Sequence, residues 1–369
     1  MSSFTGGDRA LTNRALPLSV LPGNQNYRGG DRSLNDRFQQ VVTPFPGAIG
    51  VNGNFLITTT NENYFTLSNG IVLRASVSTP SDGKTSRRGL LAIHGGGFTT
   101  GNVQSNVSQD AGKWGFLGVA CEYRLAPPHV EMNTPTHPAP GQNTVGDDGH
   151  YPEQTQDIVN MIRTLRADPR CNGEVVVVGG SSGGAHGLLM AAQGKKGDDR
   201  PDLLVALSTG ISNFFDPNSW DLNCVGGGTC PHSAVASYLN ISDTFPSLPS
   251  GADLASATLA SPISYVNTSM CPCWFLLSNM DGLGIPTSLG YSIFSFRKDN
   301  NQPNVLENGV NGLIPKLYQI GVPESFTSWP EPGSFKQTLV QVSVYSHSFD
   351  YWDQMKSQLL PWLSGIIPP

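Results

Sequence analysis

The segment Val175-Val176-Val177-Val178-Gly179-Gly180-Ser181-Ser182-Gly183-Gly184 reads as a buried strand that enters a tight turn and leaves it as a helix. Four consecutive β-branched residues favour extended backbone and present no polar side to water, which suits a strand covered on both faces. Ala185, Leu188, Leu189, Ala191 and Ala192 follow at helical spacing. A serine between glycines at such a junction can be held on a strained, exposed turn. The Gly-x-Ser-x-Gly spacing is met twice, once centred on Ser181 and once on Ser182, and spacing alone does not choose between them. Ser181 is preferred because it lies nearer the strand end, which makes Ser182 the first helical residue, with its amide and the helix dipole directed at a developing anion. A phosphate cradle is the competing reading, but the Lys-Ser/Thr ending of that loop is missing.

Working outward from this segment, strand and helix alternate. Upstream, Gly89 to Ile93 is a buried strand ending in His94-Gly95-Gly96-Gly97-Phe98, and Leu117 to Tyr123 is the next strand. Tyr151-Pro152-Glu153 opens a helix with Ile158, Ile162 and Leu165 on one face. Downstream come strands at Leu203 to Leu207, Cys273 to Leu277 and Thr338 to Val344, then a last helix carrying Trp352, Met355, Leu359 and Leu360. Before all of these, Phe55 to Thr58, Tyr64 to Leu67 and Ile71 to Val77 suit an antiparallel meander. The pattern predicts an α/β chain with a mostly parallel central sheet and helices on both faces.

Three stretches, 127–150, 212–265 and 300–337, break the rhythm; each is rich in Pro, Gly, Asn or Ser and too long for a plain connection. Insertions at the C-terminal edge of a parallel sheet build the roof of its pocket, so they are assigned to a cap on a domain spanning 51–369. Residues 1–50 lack periodicity and contain a near repeat, Gly6-Gly7-Asp8-Arg9 returning as Gly29-Gly30-Asp31-Arg32; they read as an irregular N-terminal arm.

Composition excludes several classes. Of 369 residues 14% are charged, the formal net charge is −6, and no Lys/Arg cluster occurs, which argues against a nucleic-acid surface. No window approaches the roughly 18 apolar residues of a membrane-spanning helix. The N-terminus lacks the basic start and apolar middle of a signal peptide. Few lysines and three Asn-x-Ser/Thr sequons, at Asn106, Asn240 and Asn267, lean toward a secreted or periplasmic mature form. Cys224 and Cys230 flank a Gly-rich loop that could close into a disulfide, whereas Cys271 and Cys273, one residue apart on a strand, point to the same face and are poorly placed to bridge each other. His129, His137 and His150 with Asp147 and Asp148 fit no metal-ligand spacing, so no metal is expected.

Chemistry gathers at the strand ends. The glycines after His94 can bring bare backbone amides to a substrate carbonyl, with Gly95 and Gly96 as donors and His94 orienting the loop. His347, in Ser346-His347-Ser348-Phe349 after an apolar strand, is the histidine placed to act as general base. Asp281, in Asn279-Met280-Asp281-Gly282, can accept its Nδ1–H, with Asp253 and Asp299 as weaker substitutes. Ser181, Asp281 and His347 then form a triad in the chain order of a nucleophile-elbow hydrolase. His186 reads as a helix-packing histidine.

These residues resemble the α/β-hydrolase family, and within it the hormone-sensitive-lipase-like branch. His94-Gly95-Gly96-Gly97-Phe98, Tyr123-Arg124-Leu125-Ala126-Pro127, Tyr151-Pro152 with Asp157, and Gly179 to Gly184 fall in that branch's order, and the likeness covers about residues 70–365. It again selects Ser181 as nucleophile, and it implies a carboxylesterase acting on small or medium acyl groups of a small-molecule ester, without a cofactor. The sequence departs from the branch in Gly180, where an aspartate is usual, in about twenty extra residues before Tyr151, and in the long segment between Asp281 and His347. It is also similar to feruloyl- and acetylxylan-esterase-like members of the superfamily, which implies plant polysaccharide esters as an alternative substrate. Two other readings are a peptidase using the same triad and a non-catalytic small-molecule receptor.

Overall fold

The computed structural model describes residues 55–68, 70, 72–127, 130–131, 149–207, 214, 231–242, 249–267, 269–278, 337–342, 348–353, 356, 359–360 and 363. The strands are β1 (Ile57–Thr66), β2 (Val72–Pro80), β3 (Arg87–Ile93), β4 (Thr100–Gly101), β5 (Leu117–Cys121), β6 (Val130–Glu131), β7 (Cys171–Gly180), β8 (Leu203–Leu207), β9 (Cys273–Ser278) and β10 (Gln337–Val342). The helices are α1 (Ser105–Lys113), α2 (Glu153–Ala167), α3 (Ser182–Gln193), α4 (Pro231–Leu239) and α5 (Gly251–Ala260).

Eight strands form one sheet in the order β1-β2-β5-β3-β7-β8-β9-β10, and β4 with β6 forms a two-stranded ribbon. β1 runs antiparallel to β2 and β2 to β5, while every pairing from β5 to β10 is parallel. β3, β5, β7 and β8 are covered on both faces, and their alternate residues go to opposite cores. Val175 and Val177 of β7 pack with Ile158, Ile162 and Leu165 of α2 and Leu188 of α3. Val176 and Val178 pack on the other side with Val107 and Ala111 of α1 and with Trp352, Leu359 and Leu363. This double burial is the reason the valine run has no polar position.

Two elements differ from their sequence reading. The expected strands at 55–58 and 64–67 are one strand, β1. It is an edge strand, so the Thr and Asn residues between its apolar ends face water while the ladder to β2 continues through them, with an irregularity between Asn63 and Phe65. α1 had no apolar periodicity to announce it, because it meets the sheet through small residues, with Val107, Ser108, Ala111 and Gly112 buried.

Among the described cysteines, Cys121, Cys171, Cys271 and Cys273 are buried, and Cys271 and Cys273 share one core, as their spacing requires. Cys224, Cys230 and the expected N-terminal arm lie outside the described residues. Asn106 and Asn240 are exposed, whereas the Asn267 side-chain nitrogen donates to the carbonyls of Ala192 at 3.0 Å and Tyr265 at 2.7 Å. No helix among the described residues is long and apolar enough to cross a membrane.

One buried ion pair locks the segment after β5 to α2. Arg124 donates to Asp157 through Nε (2.9 Å), Nη2 (2.8 Å) and its backbone amide (3.0 Å), and the Asp157 side chain is fully buried. Burial pushes the Asp157 carboxyl up, and the three Arg124 bonds oppose that shift. Asp157→Ala removes the carboxylate that pairs with a largely buried guanidinium, so we expect a loss of about 3–5 kcal/mol of stability. A shift of the urea midpoint corresponding to less than about 1 kcal/mol, the range of exposed pairs, would contradict this.

Candidate active site

β7 ends at Gly180 and α3 begins at Ser182, so the turn between them consists of Ser181 alone. Ser181 has φ 53° and ψ −118°, a conformation that costs a non-glycine residue about 1–3 kcal/mol and is held only by its surroundings. Here the Ser181 amide donates to Leu207 O at 2.9 Å, at the end of β8, and its carbonyl accepts from Ala185 N at 3.1 Å. Strand and helix fold back on each other so closely that a Cβ at Gly179 would lie 2.6 Å from the carbonyl carbon of Gly183. These two glycines flank Ser181 in the first of the two possible registers. Ser182 is instead the first residue of α3; its hydroxyl is buried, and its amide precedes any intrahelical acceptor.

The glycine loop after β3 lies against this turn. A Cβ on Gly95 would sit 2.9 Å from Ser181 Cβ and 2.8 Å from Gly180 O, so only glycine lets the two backbones meet. Gly96, Gly97 and Phe98 have φ of 123°, 60° and 69°. A turn built on such positive-φ residues can leave its amides available to an anion. Among the described residues no acceptor meets the amides of Gly95, Gly96 or Gly97, while Thr99 and Thr100 donate to Gly96 O at 3.2 and 3.0 Å.

The base of this loop is fixed by His94 and Tyr123. The two rings stack at 4.2 Å and 13°. His94 Nδ1 lies 2.7 Å from Gly95 O; since a carbonyl can only accept, Nδ1 carries the proton. The Tyr123 hydroxyl donates to His94 O at 2.9 Å. His94 therefore orients the loop, as its position beside the glycines suggested.

Asp281 and His347 lie outside the described residues, as do His129, His137, Asp147 and Asp148. The strands that lead to the two triad candidates are described. Gly180 is level with Leu207, Leu207 with Leu276, and Ser278 with Val342, so β7, β8, β9 and β10 end on one edge. The segment after residue 347 returns to the serine turn: a Cβ on Gly180 would overlap the Ser348 hydroxyl and lie 2.6 Å from Phe349 Cε2. This segment is anchored to α1, where Asp110 accepts from Trp352 Nε1 at 2.9 Å and from Lys356 Nζ at 3.0 Å. Burial opposes ionisation of Asp110, yet the bonds from Lys356, Trp352 and Lys113 hold its carboxyl below the usual carboxylate range.

Three further residues, outside the expected set of site residues, border the loop. The Tyr123 hydroxyl, Gln154 and His186 are all buried. Only Tyr123, an aromatic directly after a strand, could have been suspected. His150, from the rejected metal cluster, places Nδ1 2.6 Å from Ser237 O.

No protein-family profile and no curated protein matches the sequence. Solved structures do match it, at low identity. A bacterial heroin esterase has a TM-score of 0.53 and 15% identity, covering 86% of this chain and 86% of its own. An esterase of Pyrobaculum calidifontis has a TM-score of 0.51 and 16% identity, covering 84% of each chain. The esterase Est2 of the planctomycete Thermogutta terrifontis has a TM-score of 0.51 and 13% identity, covering 87% of this chain and 95% of its own. The likeness is one of fold, and this chain has the α/β-hydrolase fold.

Proposed function

We propose that this chain is a serine carboxylesterase of the hormone-sensitive-lipase-like branch, acting on esters of small to medium acyl groups. The observation that carries the reading is the approach of the Gly95 backbone to Ser181, which places a run of glycine amides beside a strained serine. Ser181 Oγ attacks the ester carbonyl while His347 takes its proton, and Asp281 holds His347 in the useful tautomer. The amides of Gly95, Gly96 and Ser182 stabilise the oxyanion. The alcohol leaves with the proton from His347, and water then releases the acyl group by the reverse path, so the reaction balances with water alone. Support for His347 comes from Ser348 and Phe349 lying on Gly180, and support for Asp281 from β9 ending level with β10. The fold neighbours named above are esterases, which agrees with this chemistry.

The insertions at 127–150, 212–265 and 300–337 are proposed as the cap. In the second, the Tyr238 ring of α4 stacks on Phe98 at 4.2 Å, and Ala234 lies next to Gly97. Such a roof sets acyl length and alcohol preference.

The test is a turnover profile over p-nitrophenyl esters of increasing acyl length, run beside feruloyl esters, acetylated sugars and an amide. We expect hydrolysis of the short and medium esters and stoichiometric labelling of Ser181 by a fluorophosphonate. Absence of both would leave the receptor reading in its place, and preference for the feruloyl or acetyl-sugar substrates would move the substrate class to plant polysaccharide esters.

A further inference from the structure

We infer that Gln154 and His186 are positioning residues that lock the oxyanion loop to the helix carrying the nucleophile's turn; this rests on the esterase reading above. Gln154 is fully buried, and its side-chain nitrogen donates to Phe98 O at 2.7 Å and to Gly149 O at 2.6 Å. Two carbonyl partners leave the amide only one orientation, with Oε1 turned to His186 Nε2 at 3.0 Å. Oε1 can only accept, so His186 donates from Nε2. Burial, with His94 nearby adding to it, pushes the His186 pKa down to about 3, so the ring stays neutral and keeps this role near neutral pH.

The connection reaches both ends of the loop. At the far end, Phe98 has a left-handed φ, and its carbonyl is held by Gln154 together with the amide of Ala126 at 2.9 Å. The Phe98 ring meets His186 in a T-shaped contact, with centroids 5.4 Å apart at 86°. At the near end, His186 also meets Tyr123, at 5.3 Å and 72°, and Tyr123 holds His94 O. His186 itself sits on α3, five residues after Ser181. One imidazole thus touches the aromatic residue that fixes each end of the glycine loop, from the helix that also presents Ser182. A packing role alone would not need this polar pair, because buried donors and acceptors are costly wherever a partner is imperfect.

The test compares the wild-type chain with Gln154→Met and His186→Leu, which remove the hydrogen bonds at similar volume, and with His186→Gln, whose side-chain nitrogen reaches about as far as Nε2. Turnover of p-nitrophenyl acetate is measured with the affinity for a trifluoromethyl ketone, whose adduct with the serine places an oxyanion in the loop. We expect kcat and ketone affinity to fall together by about 10- to 100-fold in Gln154→Met and His186→Leu, the scale of a displaced catalytic donor, with KM within about twofold. His186→Gln should recover most of the loss. Folded variants that keep kcat and ketone affinity within about twofold, or that change KM alone, overturn the inference while the esterase reading stands. Should Gln154→Met fail to fold, the contrast between His186→Leu and His186→Gln decides. A wild-type chain that hydrolyses no ester and takes no fluorophosphonate overturns both.

Discussion

Ser181→Ala lowers the turnover of p-nitrophenyl acetate by at least about a thousandfold and abolishes fluorophosphonate labelling, while Ser182→Ala retains a sizeable fraction of the activity. In the proposed mechanism the first effect follows from losing the only atom that forms the acyl bond, so the remaining rate is what the oxyanion loop and substrate binding supply by themselves. The second follows from the division of labour at the turn. In the proposed mechanism Ser182 contributes only its backbone amide, which alanine also has, and its hydroxyl is buried. Alanine at 181 keeps the unusual backbone conformation without a clash, so the variant should fold with a thermal midpoint near that of the wild type. The pair of variants separates the two registers that the Gly-x-Ser-x-Gly spacing alone does not. If Ser182→Ala were the inactive one and Ser181→Ala kept its rate and label, the nucleophile would be one residue further along.

The register question shows where the sequence was informative and where only geometry decides. The valine run, the glycine pairs and the strand-helix alternation were legible because they follow from backbone preferences and double-sided burial, which act locally. The edge strand β1 was legible only at its ends, since its Thr58 to Asn61 stretch is exposed on both faces and is therefore polar. α1 was hidden for the opposite reason: it packs by small residues rather than by large apolar ones. Of the site, Ser181 and the glycine loop could be read because each motif carries its own conformational demand. Gln154 could not. Its partners are the Gly149 carbonyl five residues before it and a carbonyl and an imidazole from the distant Phe98 and His186, and a glutamine at the start of a helix carries no trace of them. Asp281 and His347 were placed by chain order after strands, and β9 and β10 do end on the edge that holds Ser181.

The glycine loop gives the second large effect, and its three glycines should not respond alike. Gly95→Ala puts a methyl 2.9 Å from Ser181 Cβ and 2.8 Å from Gly180 O, and neither neighbour can give way without moving the turn. The loop must therefore back away from the serine, taking the amides of Gly95 and Gly96 out of reach of an oxyanion. Losing one such donor costs about a hundred- to a thousandfold in kcat, and displacing two should reach at least that range. Gly96→Ala adds a direct overlap with the Thr100 carbonyl at φ 123°, where alanine is also strained, so stability falls along with activity. Gly97 is different. Its φ of 60° is left-handed but reachable by alanine at about 1–2 kcal/mol, and the nearest atom to a new methyl is Ala234 Cβ at 3.7 Å, ordinary contact. Gly97→Ala should accordingly lose some stability and keep most of its kcat. Measured as kcat on p-nitrophenyl acetate with the rate of phosphonylation beside it, the series should order as Gly97→Ala well above Gly95→Ala. Equal activity in those two variants would mean that closeness to Ser181 is irrelevant to the chemistry, and the glycine amides would then have no part in holding the oxyanion.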